Sequence, residues 1–183
     1  MYDDIKLKVY DLGGNAKFRS VWTRYFAEIW GFIYVVDAAD PERFEESKEQ
    51  LRQMLEHKML KGKPFIVVAN KQDLPNAVNA EKLKKTFNLK SCKKATFVDA
   101  SVTTIVDNKC NEGVSNAVSA LIGKILTDFE KIGQRRVLDM REQEDIENKE
   151  RAEKLARLQA KREEEEKARE QNESAHQEQT VDA

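Results

Sequence analysis

Asn70-Lys71-Gln72-Asp73 directly follows the apolar run Phe65–Ala69. A carboxylate such as that of Asp73 accepts two hydrogen bonds, and guanine offers a matched pair at N1–H and its 2-amino group. Adenine has no such pair, so a carboxylate buried against it would be left unsatisfied. Lys71 has a methylene stem long enough to lie over a base, and Asn70 has the groups to hold the loop. A polar turn ahead of Pro75 is the plainer reading of the same four residues. Asp11-Leu12-Gly13-Gly14 offers complementary chemistry. An aspartate there suits a magnesium ion held through water, and the Gly14 N–H can approach a phosphate with no side chain in the way. Aspartate followed by glycines is also a common turn. Asp99-Ala100-Ser101-Val102 is the third such place. A backbone N–H near Ser101 or Val102 suits the guanine oxygen, and an ordinary turn fits these residues equally well.

These motifs need elements that bring them together. Ile5–Tyr10 alternates apolar and polar residues, as a half-buried or edge strand does. Gly31–Val36 and Pro64–Ala69 are continuous apolar runs suited to a sheet covered on both faces, and Ala95–Val98 is a weaker fourth strand. Helical spacing appears between them. It places Phe18, Val21, Trp22, Tyr25 and Phe26 together over 17–28, and Phe44, Leu51, Met54 and Leu55 over 41–57, with Pro41 in the first turn. A short helix is expected over 80–87. Glu112–Phe129 carries one wide apolar stripe. Strand alternating with helix predicts an α/β fold with a parallel sheet, in which ligands bind beyond the carboxyl ends of the strands. All three motifs follow expected strands.

Composition sets the organisation. Of 183 residues 40% are apolar, enough for a core, but 36% are charged, which is high for a compact domain. The excess sits at the end. From Glu130 onward lie 16 of the 33 acidic and 12 of the 32 basic residues, leaving the front near +3 and the tail near −4. Neither balance marks nucleic acid as the main partner. No run is apolar and long enough to span a bilayer, the first residues do not read as a signal peptide, and Tyr2 excludes N-terminal myristoylation at this methionine. Cys92 and Cys110 make no disulfide framework or zinc site and read as free buried thiols of a reducing, cytoplasmic compartment. The last glycine is Gly133 and the last aromatic is Phe129. The expected organisation is therefore a globular part over 1–133, a charged helix or coiled coil over 134–173, and a disordered tail over 174–183. Glu, Lys, Arg, Gln and Ala favour helix in the tail, with ordered pairs such as Glu147–Arg151 and Glu163–Lys167. No apolar heptad persists, so a solvated helix is expected, with a helix partner over 137–158. The apolar face is too narrow for membrane binding.

Together the motifs resemble the small GTPases of the ADP-ribosylation factor family. Val9–Gly14 is similar to that family's phosphate-sensing start of switch II. Val35–Asp40 with Arg43-Phe44 is similar to the next strand and helix start, and Ala69–Pro75 to the guanine-specificity motif. The charged tail is most similar to the thirteenth ADP-ribosylation-factor-like subfamily, which acts in cilia. The resemblance implies a P-loop NTPase sheet and GTP or GDP with Mg2+ as ligands. It assigns Gly14, Asn70, Lys71, Asp73, Ser101 and Val102 to the nucleotide and Asp11 to the metal. It also implies a guanine-nucleotide switch that presents region 14–30 to an effector or a related small GTPase, in ciliary or membrane trafficking. The thirteenth subfamily promotes nucleotide exchange on such a relative, a role that could draw on switch II and the helix Glu112–Phe129.

Two departures shape that expectation. The family's Gly-x-x-x-x-Gly-Lys-Ser/Thr loop, which wraps the phosphates, occurs nowhere in these 183 residues, and neither does switch I. The chain resembles the family fold from its third strand onward. It is expected to be a partial copy, with the middle of the sheet opened. Asn15 stands where many members have a water-positioning glutamine. It is one methylene too short for that task, so weak or absent hydrolysis is expected. The alternative is a non-enzymatic scaffold or interaction protein with a degenerate nucleotide site. Among the aromatics, Phe26 reads as core, Trp22 as core or partner surface, and Trp30 as packed at a strand start. His57 reads as a solvated helix end rather than a catalytic group.

Overall fold

The computed structural model describes residues 5–89, 96–100 and 112–181, with side chains up to Glu165. The chain divides into two compact units, Met1–Met140 and Arg141–Ala183.

The first unit is an α/β structure on a three-stranded parallel sheet of order β1 (Phe32–Asp37), β2 (Phe65–Asn70), β3 (Thr96–Asp99). Register runs from Phe32↔Phe65 to Asp37↔Asn70 and from Ile66↔Thr96 to Ala69↔Asp99. Its helices are α1 (Arg19–Phe26), α2 (Phe44–Glu56), α3 (Ala80–Phe87), α4 (Glu112–Thr127) and the start of α5 (Phe129–Val181), with short 3-10 turns at Ala16–Phe18 and Pro41–Arg43.

The unbroken apolar run of β2 is explained by its two covered faces. Phe65, Val67 and Ala69 pack with Phe44, Leu51, Leu83 and Phe87 of α2 and α3. Ile66 and Val68 pack on the other side with Ala117, Val114 and Leu121 of α4. A side chain on either face would meet lipid-like surroundings, so the period-two alternation of a half-wet strand disappears. A third cluster joins Trp22, Phe26 and Ala27 to Met59 and Leu60, with Leu12 and Met54 at its margin.

One expected strand does not form. Ile5–Tyr10 is irregular, and its apolar side chains are exposed, Val9 to 79%. Alternation arranges side chains on two faces, but a strand also needs a neighbouring backbone to bond, and no described residue pairs with this segment. β1 and β3 accordingly stand at the edges of the described sheet, and Val35 of β1 is half exposed.

The break between α4 and α5 falls at Asp128, ahead of Gly133. Gly133 lies within α5 beneath Trp30, where an added Cβ would sit 3.3 Å from the indole. Trp30 stacks on Phe129 at 4.7 Å between centroids, and the Arg136 guanidinium lies 5.3 Å from its ring. This glycine serves close packing and does not end the helix. The second unit is the remainder of α5, helical to Val181. Its larger apolar side chains Ile146, Leu155 and Leu158 are exposed.

Candidate functional site

The carboxyl ends of β1, β2 and β3 lie side by side because the strands are parallel. Asn70 closes β2 opposite Asp37, and its carbonyl accepts the Ala38 N–H at 3.2 Å. The chain then turns through Lys71, which holds φ at +64°. A side-chain-bearing residue in this left-handed region costs about 1–3 kcal/mol, and such positions gather where a ligand demands a fixed loop.

Three bonds from one residue hold that loop. The Gln72 amide nitrogen donates to Ala69 O at 3.2 Å and Val78 O at 2.9 Å, and its backbone N–H donates to Ala100 O at 3.4 Å. The Leu74 N–H donates to Lys71 O at 3.0 Å, closing the turn. Asp73 stands exposed at the tip, and Lys71 is half-buried. The Lys71 ammonium lies 2.6 Å from Asp37 Oδ2, and Asp37 Oδ1 accepts the Ala39 N–H at 3.0 Å. The Lys71 hydrogen bond holds the Asp37 carboxyl below the usual carboxylate range, and the same bond raises the Lys71 ammonium above its ordinary value.

The third strand end comes in beside this loop. Ala100 is buried, and its N–H donates to Ala69 O at 3.1 Å. Gly113 brings the start of α4 against it, since a Cβ there would lie 2.2 Å from Asp99 O. Asp99 itself turns its carboxylate to the Ala80 N–H at the start of α3. Ser101 and Val102 lie outside the described residues, as do Cys92 and Cys110.

Asn70, Lys71 and Asp73 therefore share one loop, with Ala100 adjoining through Gln72. Asp11, Gly14 and Asn15 sit on a separate segment ahead of α1. Asp11 and Gly14 are exposed, and no side chain or backbone approaches the position a Gly14 Cβ would take. The Gly13 carbonyl accepts from Trp22 Nε1 at 3.0 Å and the Gly14 carbonyl from Arg19 Nε at 3.0 Å, while Arg19 also pairs with Glu46. Asn15 caps the 3-10 turn by accepting the Lys17 N–H at 3.1 Å. Its side-chain oxygen is thus engaged with its own backbone.

The aromatics of 14–30 divide. Trp22 and Phe26 are both buried, so Trp22 is core and offers no partner surface, whereas Phe18 is exposed to 59%. His57 is half-buried rather than solvated. It stands edge-on to Phe26 at 5.0 Å, its Nδ1 accepts the Met59 N–H, and burial lowers its pKa.

The ADP-ribosylation factor family profile matches residues 1–125. The chain belongs to the ADP-ribosylation factor family. Within that match lie the irregular segment, the three strands and the loop after β2. ADP-ribosylation factor-like protein 13B of Chlamydomonas reinhardtii is 37% identical over 135 residues, covering 71% of this chain and 25% of the relative. ADP-ribosylation factor-like protein 8b of Arabidopsis thaliana is 37% identical over 114 residues, covering 56% of this chain and 62% of the relative. The chain thus spans a quarter of the first relative and somewhat under two thirds of the second.

Two residues escaped the sequence reading. Asp37 and Gln72 hold the loop, yet neither touches chemistry in the linear motif alone. The signal for Asp37 was its place at the end of a strand parallel to β2.

For a base, the residues present fit: an exposed carboxylate, a lysine stem and a fixed turn stand together at a strand end. For magnesium the fit is narrower. The described residues contain no cluster of three or more metal-ligating side chains, and Asp11 contributes one carboxylate. Magnesium usually keeps several waters and takes phosphate oxygens, so one carboxylate acting through water is the role open to Asp11.

Proposed function

We propose that this chain carries the guanine-reading part of a GTP-binding regulator. The observation that supports it is the loop 70–73, set at the end of β2 with Lys71 in the left-handed region and braced by Gln72 and Asp37. Asp73 takes the guanine N1–H and 2-amino group, Lys71 covers the base with its stem, and Asn70 anchors the turn. Ser101 and Val102 supply backbone N–H to the guanine oxygen. Gly14 meets a phosphate, and Asp11 faces the magnesium that GTP brings, which neutralises phosphate charge when bound. Hydrolysis is weak or absent, because Asn15 is short and its oxygen already caps a turn. Region 14–30 meets an effector or related small GTPase through Phe18 and its exposed neighbours, and 137–158 meets a helical partner. The organisation proposed is a GTPase-like part through about Gly133 followed by a charged helix, which runs on to Val181 where the sequence predicts a disordered end over 174–183. The setting is cytoplasmic, in ciliary or membrane trafficking.

Saturation-transfer NMR of the 183-residue chain with guanosine and GTP, against adenosine and ATP, tests this. Saturation of the guanine compounds alone, abolished by Asp73→Ala, is the expected result. Equal saturation of both bases overturns it.

A second reading is favoured by one observation: the phosphate-wrapping Gly-x-x-x-x-Gly-Lys-Ser/Thr pattern is found nowhere in the chain. In that reading the protein is a scaffold whose nucleotide site is vestigial. No saturation by either base, in a chain whose β2 amides are protected from exchange, selects it.

A further inference from the structure

The end of α1 presents carbonyls that its own helix cannot satisfy. Cationic side chains from elsewhere meet them. Lys63 Nζ donates to Phe26 O at 2.6 Å and to Ala27 O at 3.1 Å, and Arg136 Nε donates to Glu28 O. Positive charge at a helix carboxyl end also opposes the macrodipole.

Those cations are themselves held by the first turns of α5. The Lys63 and Asp139 side chains are 2% and 4% exposed, and Lys63 Nζ lies 3.6 Å from Asp139 Oδ2. Asp139 Oδ1 accepts from Arg135 Nε at 2.8 Å, and Arg135 reaches on to Lys58 O at 2.9 Å. Asp139 Oδ2 has no hydrogen-bond partner among the described residues. Burial pulls the Lys63 ammonium down in pKa, and the nearby Asp139 acts against that shift. A charge so deeply placed cannot lose its partner cheaply, because the ion left behind stays buried.

We propose that Lys63, Asp139, Arg135 and Arg136 form a clasp that makes α1 and residues 129–140 of α5 loosen and tighten as one unit. Neither a nucleotide nor the base-reading loop enters this coupling. Its consequence is reciprocal: whatever stabilises the α1 end protects the root of α5 to the same degree, and the reverse.

Hydrogen exchange on the 183-residue chain reads the clasp directly. In Asp139→Asn, amides of 19–26 and of 129–140 are expected to speed up together, by at least about tenfold, while those of β2 stay as before. In the double variant Lys63→Met with Asp139→Leu the buried charges go together, but the Phe26 and Ala27 carbonyls also lose their donor, so both segments are expected to remain faster than in the parent. If Asp139→Asn unfolds the whole chain, so that β2 also exchanges, Arg136→Gln is the variant to read. It removes the bond to Glu28 O and the guanidinium beside Trp30 but leaves the buried Lys63–Asp139 pair in place, and it is expected to speed both segments by about threefold. Acceleration confined to 129–140, or no acceleration in either segment, overturns the proposal.

Discussion

The loop after β2 and the segment ahead of α1 carry the residues proposed for the two halves of a nucleotide site, and they are built differently. The loop 70–74 hangs from a strand buried on both faces; its backbone bonds to Ala38, Ala100 and, across its own turn, Lys71 to Leu74, and the Gln72 side chain adds bonds to Ala69 and Val78. Segment 5–14 has no strand to lean on among the described residues. Lys8 and Tyr10 reach Glu28 at 2.9 and 2.6 Å, and Trp22 and Arg19 bond the two glycine carbonyls. A loop tied into the fold through its own backbone keeps its shape without a ligand. A segment tied only by side chains takes its shape from whatever lies beside it. The loop proposed to read the base is therefore preorganised, and the segment proposed to meet the phosphates is open.

The sharpest way to break the comparison is to remove what supports each half. Ile66 is fully buried in the centre of β2, so Ile66→Ala is expected to lower unfolding free energy by about 2–5 kcal/mol in urea titration. It should take the loop after β2 with it. Val9 is the matching apolar position in the open segment, and at 79% exposure Val9→Ala is expected to stay within about 0.5 kcal/mol. Similar losses from the two changes would mean that 5–10 is docked as firmly as β2.

A smaller contrast lies between the two side chains that organise each half. Gln72→Ala leaves the Ala69 and Val78 carbonyls without their side-chain donor, and about 1–2 kcal/mol of stability is expected to go with it. Base binding should weaken in the same variant, because the left-handed Lys71 loses its brace. Asn15→Ala removes one cap from a single 3-10 turn, for which about 0.5 kcal/mol, the low end of capping effects, is expected. Denaturant midpoints and the NMR saturation experiment read both. An Asn15→Ala effect larger than that of Gln72→Ala would reverse the ordering of the two halves.

Much of the first half was legible in the sequence and little of the second. Phe65–Ala69 followed by Asn70–Asp73 carries its own meaning, since a doubly covered strand and the loop at its end are adjacent in the chain. Asp37 was not legible as a partner of Lys71, because their approach depends on the register Asp37↔Asn70 between strands far apart in sequence. Ile5–Tyr10 shows the reverse failure: the local pattern fits a strand, but pairing is a property of a neighbour that the pattern does not describe. Trp22 and Phe26, four apart, did declare one helical face. What decided their burial was Met59 and Leu60, more than thirty residues on. Gly133 bounds the expected globular part because it is the last glycine of the chain; its place inside α5, giving room to Trp30, depends on an indole far off in sequence.

The smallest expected effect separates the regions by pH. Asp37, beside the loop, has a folded pKa held below 3.8 by Lys71, so its contribution is present above the unfolded value and is lost as pH falls through the folded one. Other paired carboxylates also fail in that acid range, so the signal is the difference between the parent and Lys71→Gln, which should narrow below about pH 4. His57, packed on Phe26 at the end of α1, behaves differently. Burial lowers its folded pKa beneath 6.5, so the unfolded chain binds its proton first. Its share of stability is whole above about pH 6.5 and declines as pH drops from there toward the folded value. His57→Gln cannot titrate in this window, and its stability should hold flat where the parent's falls. Urea midpoints from pH 3 to 8 resolve the two steps. A parent curve flat between pH 7 and 5 would mean that the His57 ring takes up its proton in the fold as readily as in the unfolded chain, and so is not held neutral against Phe26.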